Sequence, residues 1–352
     1  MLKVPGFPDL PTPALRLDID RDALIANWRA LNDLSGAARA GAAVKANAYG
    51  LGARQVVPLL HEAGCRDFFV AHWREAAELA DLADPASIAV LHGPLNDGDV
   101  AFAHASGVVP VLNSLAQAKR WAEAGGGRCH LMVDTGMNRL GVSLTELGNE
   151  AVQALDIDVL LSHLVSAEEE TDLNARQCAR WNEARGAVRH LRASLANSGG
   201  IALGPDYHGD LTRPGIALYG GVPRSEMAPL LRQVVRPQAA VLQVHEVPAG
   251  ETVGYNATFV APHAMRVGTI AIGYADGYLR CWSGKGVFHA DGLHLPVLGR
   301  VSMDMTVIDL SAAPNIREGD WVTAEYALPD AAAVSGLSQY ELLTMLGRRF
   351  GR

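Results

Sequence analysis

The sequence predicts an α/β fold, with an N-terminal (β/α)8 TIM-like barrel followed by a C-terminal all-β domain. Three observations predict it. The chain has 352 residues, of which 49% are apolar and 19% charged, enough to bury a large core and more than one ordinary domain needs. Through about residue 230, short apolar runs alternate with longer Ala/Leu/Glu/Arg-rich stretches at helical spacing. Beyond a change of texture at residues 222–236, short strands follow one another closely, punctuated by Gly, Pro, Asn and Asp.

In order, the runs of the first part are 14–18, 42–45, 68–71, 88–91, 108–112, 130–134, 159–163 and 194–197. Helical spacing occupies 73–82, 115–124 and 175–195 between them. Strand-then-helix alternation implies parallel strands with helices outside, and eight such runs suit a closed barrel. Most of the runs are apolar throughout, as strands covered on both faces are. The second part offers strands at 241–247, 265–272, 286–289, 295–298, 305–309 and 321–325, then a last helix at 339–346. The expected domains are therefore 1–230, the barrel, and 231–352, the β-domain.

Charge and composition exclude several function classes. Thirty basic against 38 acidic residues leave a net charge of −8, which argues against nucleic acid or an anionic membrane as the main partner. No apolar run approaches the roughly 20 residues of a membrane helix, and the start MLKVPGFPDL shows no secretory pattern. Cys65, Cys129, Cys178 and Cys281 are scattered without a C-x-x-C pair, so the expectation is a cytoplasmic protein with no disulfide framework and no zinc knuckle. Asp18, Asp20 and Asp22 imitate the opening of a calcium loop, but Ala23 and Arg29 stand where that loop needs Gly and Glu. No metal is expected.

Only four of the 30 basic residues are lysine, and one of them, Lys45, ends an apolar strand run beside a Gly-rich turn. A buried ammonium costs several kcal/mol unless it is paired or neutralised. Such a lysine is accepted where its amine reacts, because desolvation frees the lone pair for Schiff-base chemistry. On spacing alone, a lysine whose stem packs while its head escapes at the barrel mouth is an equal alternative. His163 also ends an apolar run, where barrel enzymes place their chemistry.

The string Ala43-Val-Lys45-Ala-Asn-Ala-Tyr49-Gly-Leu-Gly52 resembles the pyridoxal-phosphate lysine motif of bacterial alanine racemases. Further strings match that family in order. Asp134-Thr-Gly-Met-Asn-Arg139 resembles the motif whose arginine meets the cofactor's phenolic oxygen and the substrate carboxylate. His163 resembles the histidine over the pyridine ring. Ser198, following Asn197, resembles the hydroxyl that binds phosphate. Arg213-Pro-Gly215-Ile216 resembles the segment that places an arginine on the pyridine nitrogen and two backbone amides on phosphate. Val253-Gly-Tyr255 is similar to the catalytic tyrosine segment, Gly273-Tyr274-Ala-Asp-Gly to the substrate entrance, and Gly299-Arg-Val-Ser-Met303-Asp304 to the loop that completes the neighbouring subunit's site. Tyr340 resembles the terminal tyrosine near the phosphate.

The resemblance implies a cytoplasmic homodimer with shared active sites, pyridoxal 5'-phosphate as cofactor and an amino acid as substrate. The implied reaction interconverts L- and D-alanine, supplying D-alanine for peptidoglycan or degrading it. Lys45 and Tyr255 of the partner subunit would be bases on opposite faces of the substrate, with Tyr49, Arg139, His163, Ser198, Arg213, Gly215, Ile216 and Tyr340 on the cofactor. Arg139, Tyr274, Met303 and Asp304 would face the substrate. A phenol is a poor base at neutral pH unless cations surround it, a field expected from His163 and the arginines. One position departs from the pattern. Many members carry a carbamylated lysine two residues before the aspartate of the Asp134 motif, and this chain has Met132. The competing readings are a broader amino-acid racemase, a related basic-amino-acid decarboxylase, and a non-catalytic cofactor carrier. The carrier would have no use for Tyr255 or a β-domain.

Overall fold

The computed structural model describes residues 11–347, 349 and 350. Arg21–Gln233 form one compact unit, and the described residues before Arg21 group with those from Val234 onward in the other. The chain opens with β1 (Leu15–Ile19) and α1 (Arg21–Leu34).

The first unit is a closed parallel barrel. Its strands are β2 (Arg39–Ala40) and β3 (Ala42–Ala43), which run on from one another around Gly41, then β4 (Phe68–Val70), β5 (Ile88–Val90), β6 (Val109–Leu112) and β7 (Arg128–Asp134). The short β8 (Val142–Ser143) pairs with β7 off the main path, followed by β9 (Asp156–Leu161), β10 (Arg192–Ser194) and β11 (Leu211–Thr212). β11 pairs with β2, and the Asp210 amide donates to the Ala193 carbonyl at 2.8 Å, so the ring closes through β10 and β11. Between the strands lie α2 (Lys45–Tyr49), α3 (Ala53–Ala63), α4 (Trp73–Ala77), α5 (Asp97–Ser106), α6 (Leu115–Glu123), α7 (Glu150–Gln153), α8 (Asp172–Ala187) and α9 (Ser198–Ala202). Phe69, Ala89, Val111, Met132, Val159, Leu161 and Leu211 fill the barrel interior. The helix expected at 175–195 is shorter and earlier: Thr171 caps α8 by accepting the Leu173 amide, and the chain turns back into β10.

One expected barrel strand lies elsewhere. The run at 14–18 becomes β1, and β11 takes the vacant place in the barrel. The reason is visible in Leu-Arg-Leu-Asp-Ile, which alternates buried and exposed residues. That is the pattern of a strand with one wet face, whereas a barrel strand is covered on both.

The second unit is an antiparallel barrel. It comprises β12 (Val235–Val247), β13 (Thr252–Val253), β14 (Phe259–Val260), β15 (Met265–Ile270), β16 (Val287–Ala290), β17 (Leu293–Leu298), β18 (Thr306–Asp309) and β19 (Trp321–Ala324), then α10 (Leu328–Ser335) and α11 (Gln339–Thr344). The order β12-β15-β18-β17-β16-β19 closes because β19 pairs back onto β12. β1 pairs with the first half of β12, Leu15 opposite Ala239. Closure removes the edges that would otherwise invite further strands.

An ion network ties the N-terminal ends of the first barrel's strands together. Asp158 takes hydrogen bonds from Arg128 and from Arg192, whose other nitrogen meets Asp67 at 2.9 Å. Burial works against the Asp158 charge, but the bonds from Arg192 and Arg128 hold its carboxyl down at about 2. His130 lies beside it, and its Nδ1 accepts the Val159 amide at 3.3 Å. Burial pushes this imidazole down to about 3, with Arg192 and Arg128 acting in the same direction against Asp158. Both folded values are depressed. His130 therefore contributes stability that is complete above about pH 6.5 and is lost as pH falls toward 3, and Asp158 loses its share only below about pH 4. The expected result is a fall in unfolding free energy of about 2 kcal/mol between pH 7 and pH 5 from His130. Urea denaturation at the two pH values checks it, and His130→Gln should flatten the difference.

Candidate active site

The residues singled out in the first unit sit just past the C-terminal ends of barrel strands, the end that barrel enzymes use for chemistry. Lys45 and Tyr49 follow β3, Arg139 follows β7, His163 follows β9, Ser198 follows β10, and Arg213, Gly215 and Ile216 follow β11.

Lys45 opens an unusual turn. Ala46, Asn47, Ala48 and Tyr49 all have φ between 53° and 55°, so α2 is left-handed. Each such residue costs about 1–2 kcal/mol, so the segment persists only because its surroundings hold it. Three features do so. Glu75 accepts the Ala46 amide on Oε1 and the Ala71 amide on Oε2, both at 2.7 Å. Asn47 accepts the Ala53 amide at 2.8 Å, and the Tyr49 ring packs 5.0 Å from that of Tyr219. Burial first and then the neighbouring Arg139 hold the Lys45 ammonium below the ordinary lysine value; Glu75 pulls the other way, and Arg213 adds to the lowering. Glu75 escaped the sequence reading because it looks like any helix-start acid; only the register of β3 against β4 brings it to the lysine turn. Glu75→Ala should release the turn and cost about 10²-fold in kcat, as misplacement by an ångström does. It should also move the Lys45-dependent limb of the pH–rate profile to lower pH, a shift that a merely structural role would not produce.

Arg213 is buried, and its terminal nitrogens are spent inside the protein. Nη1 donates to the Ser194 carbonyl at 2.8 Å and to its hydroxyl, and Nη2 to the Ser162 and Leu195 carbonyls. Nε–H alone has no acceptor among the described residues. Burial lowers this guanidinium to about 10, leaving it cationic at neutral pH. His163 is different. Burial, then Arg213, Lys45 and Arg139, push its imidazole down to about 3, so it is neutral and supplies none of the positive field expected of it. Its backbone is fixed by Gln177 of α8, whose Nε2 donates to the His163 carbonyl at 3.0 Å while Oε1 accepts the Val165 amide at 2.8 Å. Gln177 also eluded the sequence reading, since nothing in its local string marks it.

Ser198 Oγ accepts the Gly215 amide at 2.8 Å and the Ala217 amide at 3.3 Å, which leaves its own proton to be given to an anion. The backbone at Gly215 lies so close to Tyr49 that a Cβ there would stand 2.3 Å from the phenol oxygen, so only glycine fits. Burial, then Glu168, pushes the Tyr49 phenol up to about 12, keeping it a donor. A hydroxyl, a phenol and a side-chain-free backbone make a cradle suited to phosphate. With an amine held below the ordinary lysine value, a neutral ring and a cation offering one N–H, the set fits pyridoxal phosphate.

Arg139 is exposed and makes no hydrogen bond to the described residues, and Asp134 shapes its loop by accepting the Gly136 and Met137 amides at 2.8 and 2.9 Å. Met132 is 9% exposed and packs within the barrel interior among Val111, Val159 and Leu161, with no charge to offer. Activity should therefore not depend on added bicarbonate. A clear rise in rate when bicarbonate is restored to degassed enzyme would overturn this.

The second unit gathers its own residues on one rim. The Tyr274 amide donates to the Ser302 carbonyl at 3.0 Å and the Ala275 amide to the Met303 carbonyl at 2.9 Å. A Cβ at Gly299 would stand 2.6 Å from the Val253 carbonyl, which sets the Tyr255 turn against the same loop. Tyr274 lies under the Arg280 guanidinium at 5.0 Å, and Asp304 pairs with Arg349 at 2.7 Å. Tyr255 and Met303 are 63% and 53% exposed. Tyr340 lies in α11, whose start Ser338 and Glu341 cap reciprocally.

The family model described as "Alanine racemase, N-terminal domain" matches residues 19–223, and that described as "Alanine racemase, C-terminal domain" matches residues 234–352. The chain belongs to the alanine racemase family. An alanine racemase from Methylobacterium nodulans is 43% identical over 352 residues, covering 96% of this chain and 95% of that one. The alanine racemase of Bartonella henselae, solved with covalently bound pyridoxal phosphate, superposes with a TM-score of 0.88 at 36% identity, covering 97% of this chain and 99% of that one. The Bacillus anthracis alanine racemase with bound L-Ala-P superposes with a TM-score of 0.85 at 27% identity, covering 96% of this chain and 94% of that one. The two matched spans of the alanine racemase family lie one in each unit, apart from residues 19 and 20. Among the described residues no helix is long and apolar enough to cross a membrane.

Proposed function

We propose that this chain interconverts L- and D-alanine with two bases, Lys45 at one face of the substrate Cα and Tyr255 of the partner subunit at the other. It is a pyridoxal-phosphate-dependent racemase, as its family membership makes it. The observation that carries the mechanistic reading is the barrel mouth, where a lysine with lowered pKa stands on a strained turn beside a phosphate-shaped cradle and a buried cation.

When bound, the cofactor draws electron density from the substrate Cα and so makes its proton removable. The rest is done by the chain. Ser198, Tyr49 and the backbone at Gly215 and Ile216 hold the phosphate. Arg213 offers Nε–H to the pyridine nitrogen; a guanidinium gives a hydrogen bond but keeps its proton, which favours return of a proton to Cα over transamination. Neutral His163 would adjoin the ring without adding charge. Arg139 takes the substrate carboxylate, and the arginines supply the cations that a phenol base requires. Lys45 moves the proton of the D-enantiomer and Tyr255 that of the L-enantiomer.

A homodimer is supported by the exposure of Tyr255 and Met303, because a phenol open to water cannot act as a selective base until another surface covers it. Tyr274, Met303 and Asp304 then line the substrate entrance of the neighbouring subunit. Enantiomers have equal free energy in water, so the same site supplies D-alanine for peptidoglycan or degrades it, as concentrations direct. The four cysteines are all unpaired, which suits the cytoplasm.

A panel of L-amino acids resolved by chiral chromatography tests the reading. Alanine should turn over fastest, with serine and larger side chains slower. Faster turnover of another amino acid overturns the substrate, and a fully active monomer in sedimentation overturns the partner's role.

A further inference from the structure

We propose that the β-domain carries a surface site for a divalent transition-metal ion, formed by His289 and His294 on paired strands and Glu325 just past the end of a third, neighbouring one. The local fold prepares it. β16 and β17 are joined by Asp291 and Gly292, with φ of 50° and 77°. Two positive φ values in a two-residue loop are the signature of a type I′ hairpin, whose twist matches the strands and locks their register. That register puts His289 directly opposite His294. On the other side of β16, His289 pairs with Thr323 of β19, and the Glu325 amide donates to the Val287 carbonyl at 2.9 Å. Residues two apart on a strand share a face, so Glu325 and His289 project to the same side. Their alternates Phe288, Leu295, Val322 and Ala324 are buried in the barrel, which leaves all three ligand-type side chains on the outer surface.

The distances are close to those a metal needs. One ligand atom from each residue lies within 4.8 Å of the others, and His289 Nε2 is 3.6 Å from Glu325 Oε2. The two imidazole rings stand 4.6 Å apart, edge to face. Ligands about 2.0–2.1 Å from a tetrahedral zinc are about 3.3 Å apart, so modest side-chain rotations complete the triad. Two imidazoles and one carboxylate suit zinc, copper or nickel rather than magnesium, which prefers oxygen ligands alone. The solvent side stays open for water. A depression of about 470 Å³ borders His289 and is lined also by Asp291 and Asp320. A bound ion would clip β16, β17 and β19 together and stabilise the folded domain by binding it preferentially.

Calorimetric titration of zinc chloride into the untagged holoenzyme, beside its melting temperature with and without zinc, tests the proposal. The expected result is one zinc ion per chain that His289→Ala and His294→Ala each weaken at least tenfold and Glu325→Gln weakens less. Zinc should raise the melting temperature of the unsubstituted enzyme but not of His294→Ala, and magnesium should do neither. His294 is exposed, so its alanine variant should keep the metal-free racemase rate, which reports that it has folded. Zinc affinity unchanged by His294→Ala, equal response to magnesium, or no zinc binding at all overturns the site.

Discussion

Tyr255→Phe should retain pyridoxal phosphate and lose about 10²–10⁴-fold in kcat for racemisation, the range a positioned general acid–base contributes. The substitution removes one oxygen from a side chain that is 63% exposed, so the fold should be untouched. Its effect is directional. With Tyr255 gone, Lys45 still reaches its own face, so in heavy water the variant should exchange the Cα proton of D-alanine while leaving that of L-alanine in place. This separates a base from a residue that merely packs, which would slow both exchanges alike. It also separates the enzyme from a cofactor carrier, since a carrier would not respond to the change. Equal exchange from both enantiomers, or racemisation within a factor of a few of normal, sinks the two-base reading.

Lys45→Ala should abolish racemisation, by at least about 10⁴-fold, because in the proposed mechanism the amine is at once the covalent anchor of the cofactor and a base. The visible band of lysine-linked cofactor should vanish. Some noncovalent affinity should remain, because Ser198, Tyr49, Gly215 and Arg213 do not depend on the amine. Small primary amines in the buffer should restore part of the exchange at the face Lys45 serves, and none at the Tyr255 face. A variant that fails only because the left-handed turn collapses would not be rescued. Restoration of both exchanges by added amine would place Lys45 in a different role.

Much of the site was legible in the strings themselves. Lys45, His163 and Ser198 each end or follow an apolar run, and in a barrel the position after a strand is the mouth, so local pattern and place coincide; Arg213 was marked only by its motif string. Boundaries were less so. Strand count alone assigns the run at 14–18 to the parallel barrel, whereas its two-residue alternation fits the antiparallel sheet it joins. β11 escaped notice because Leu211–Thr212 is only two residues long and has no period of its own; its place comes from hydrogen bonds to β2. Glu75 and Gln177 carry no local mark at all, being ordinary helix residues until folding brings them to Ala46 and His163.

The amino-acid string by itself determined which chemical groups this protein owns and their order along the strand ends, because covalent sequence specifies side-chain identity and short-range periodicity. What only the tertiary structure decided is the state of those groups. His163 is neutral and Lys45 lowered in pKa because burial and through-space charges from Arg139 and Arg213 act on them. A left-handed turn is held by Glu75, 29 residues from Ala46, and a histidine pair meets a glutamate that follows another strand. Each of these rests on distances between residues far apart in the chain, which no local pattern contains.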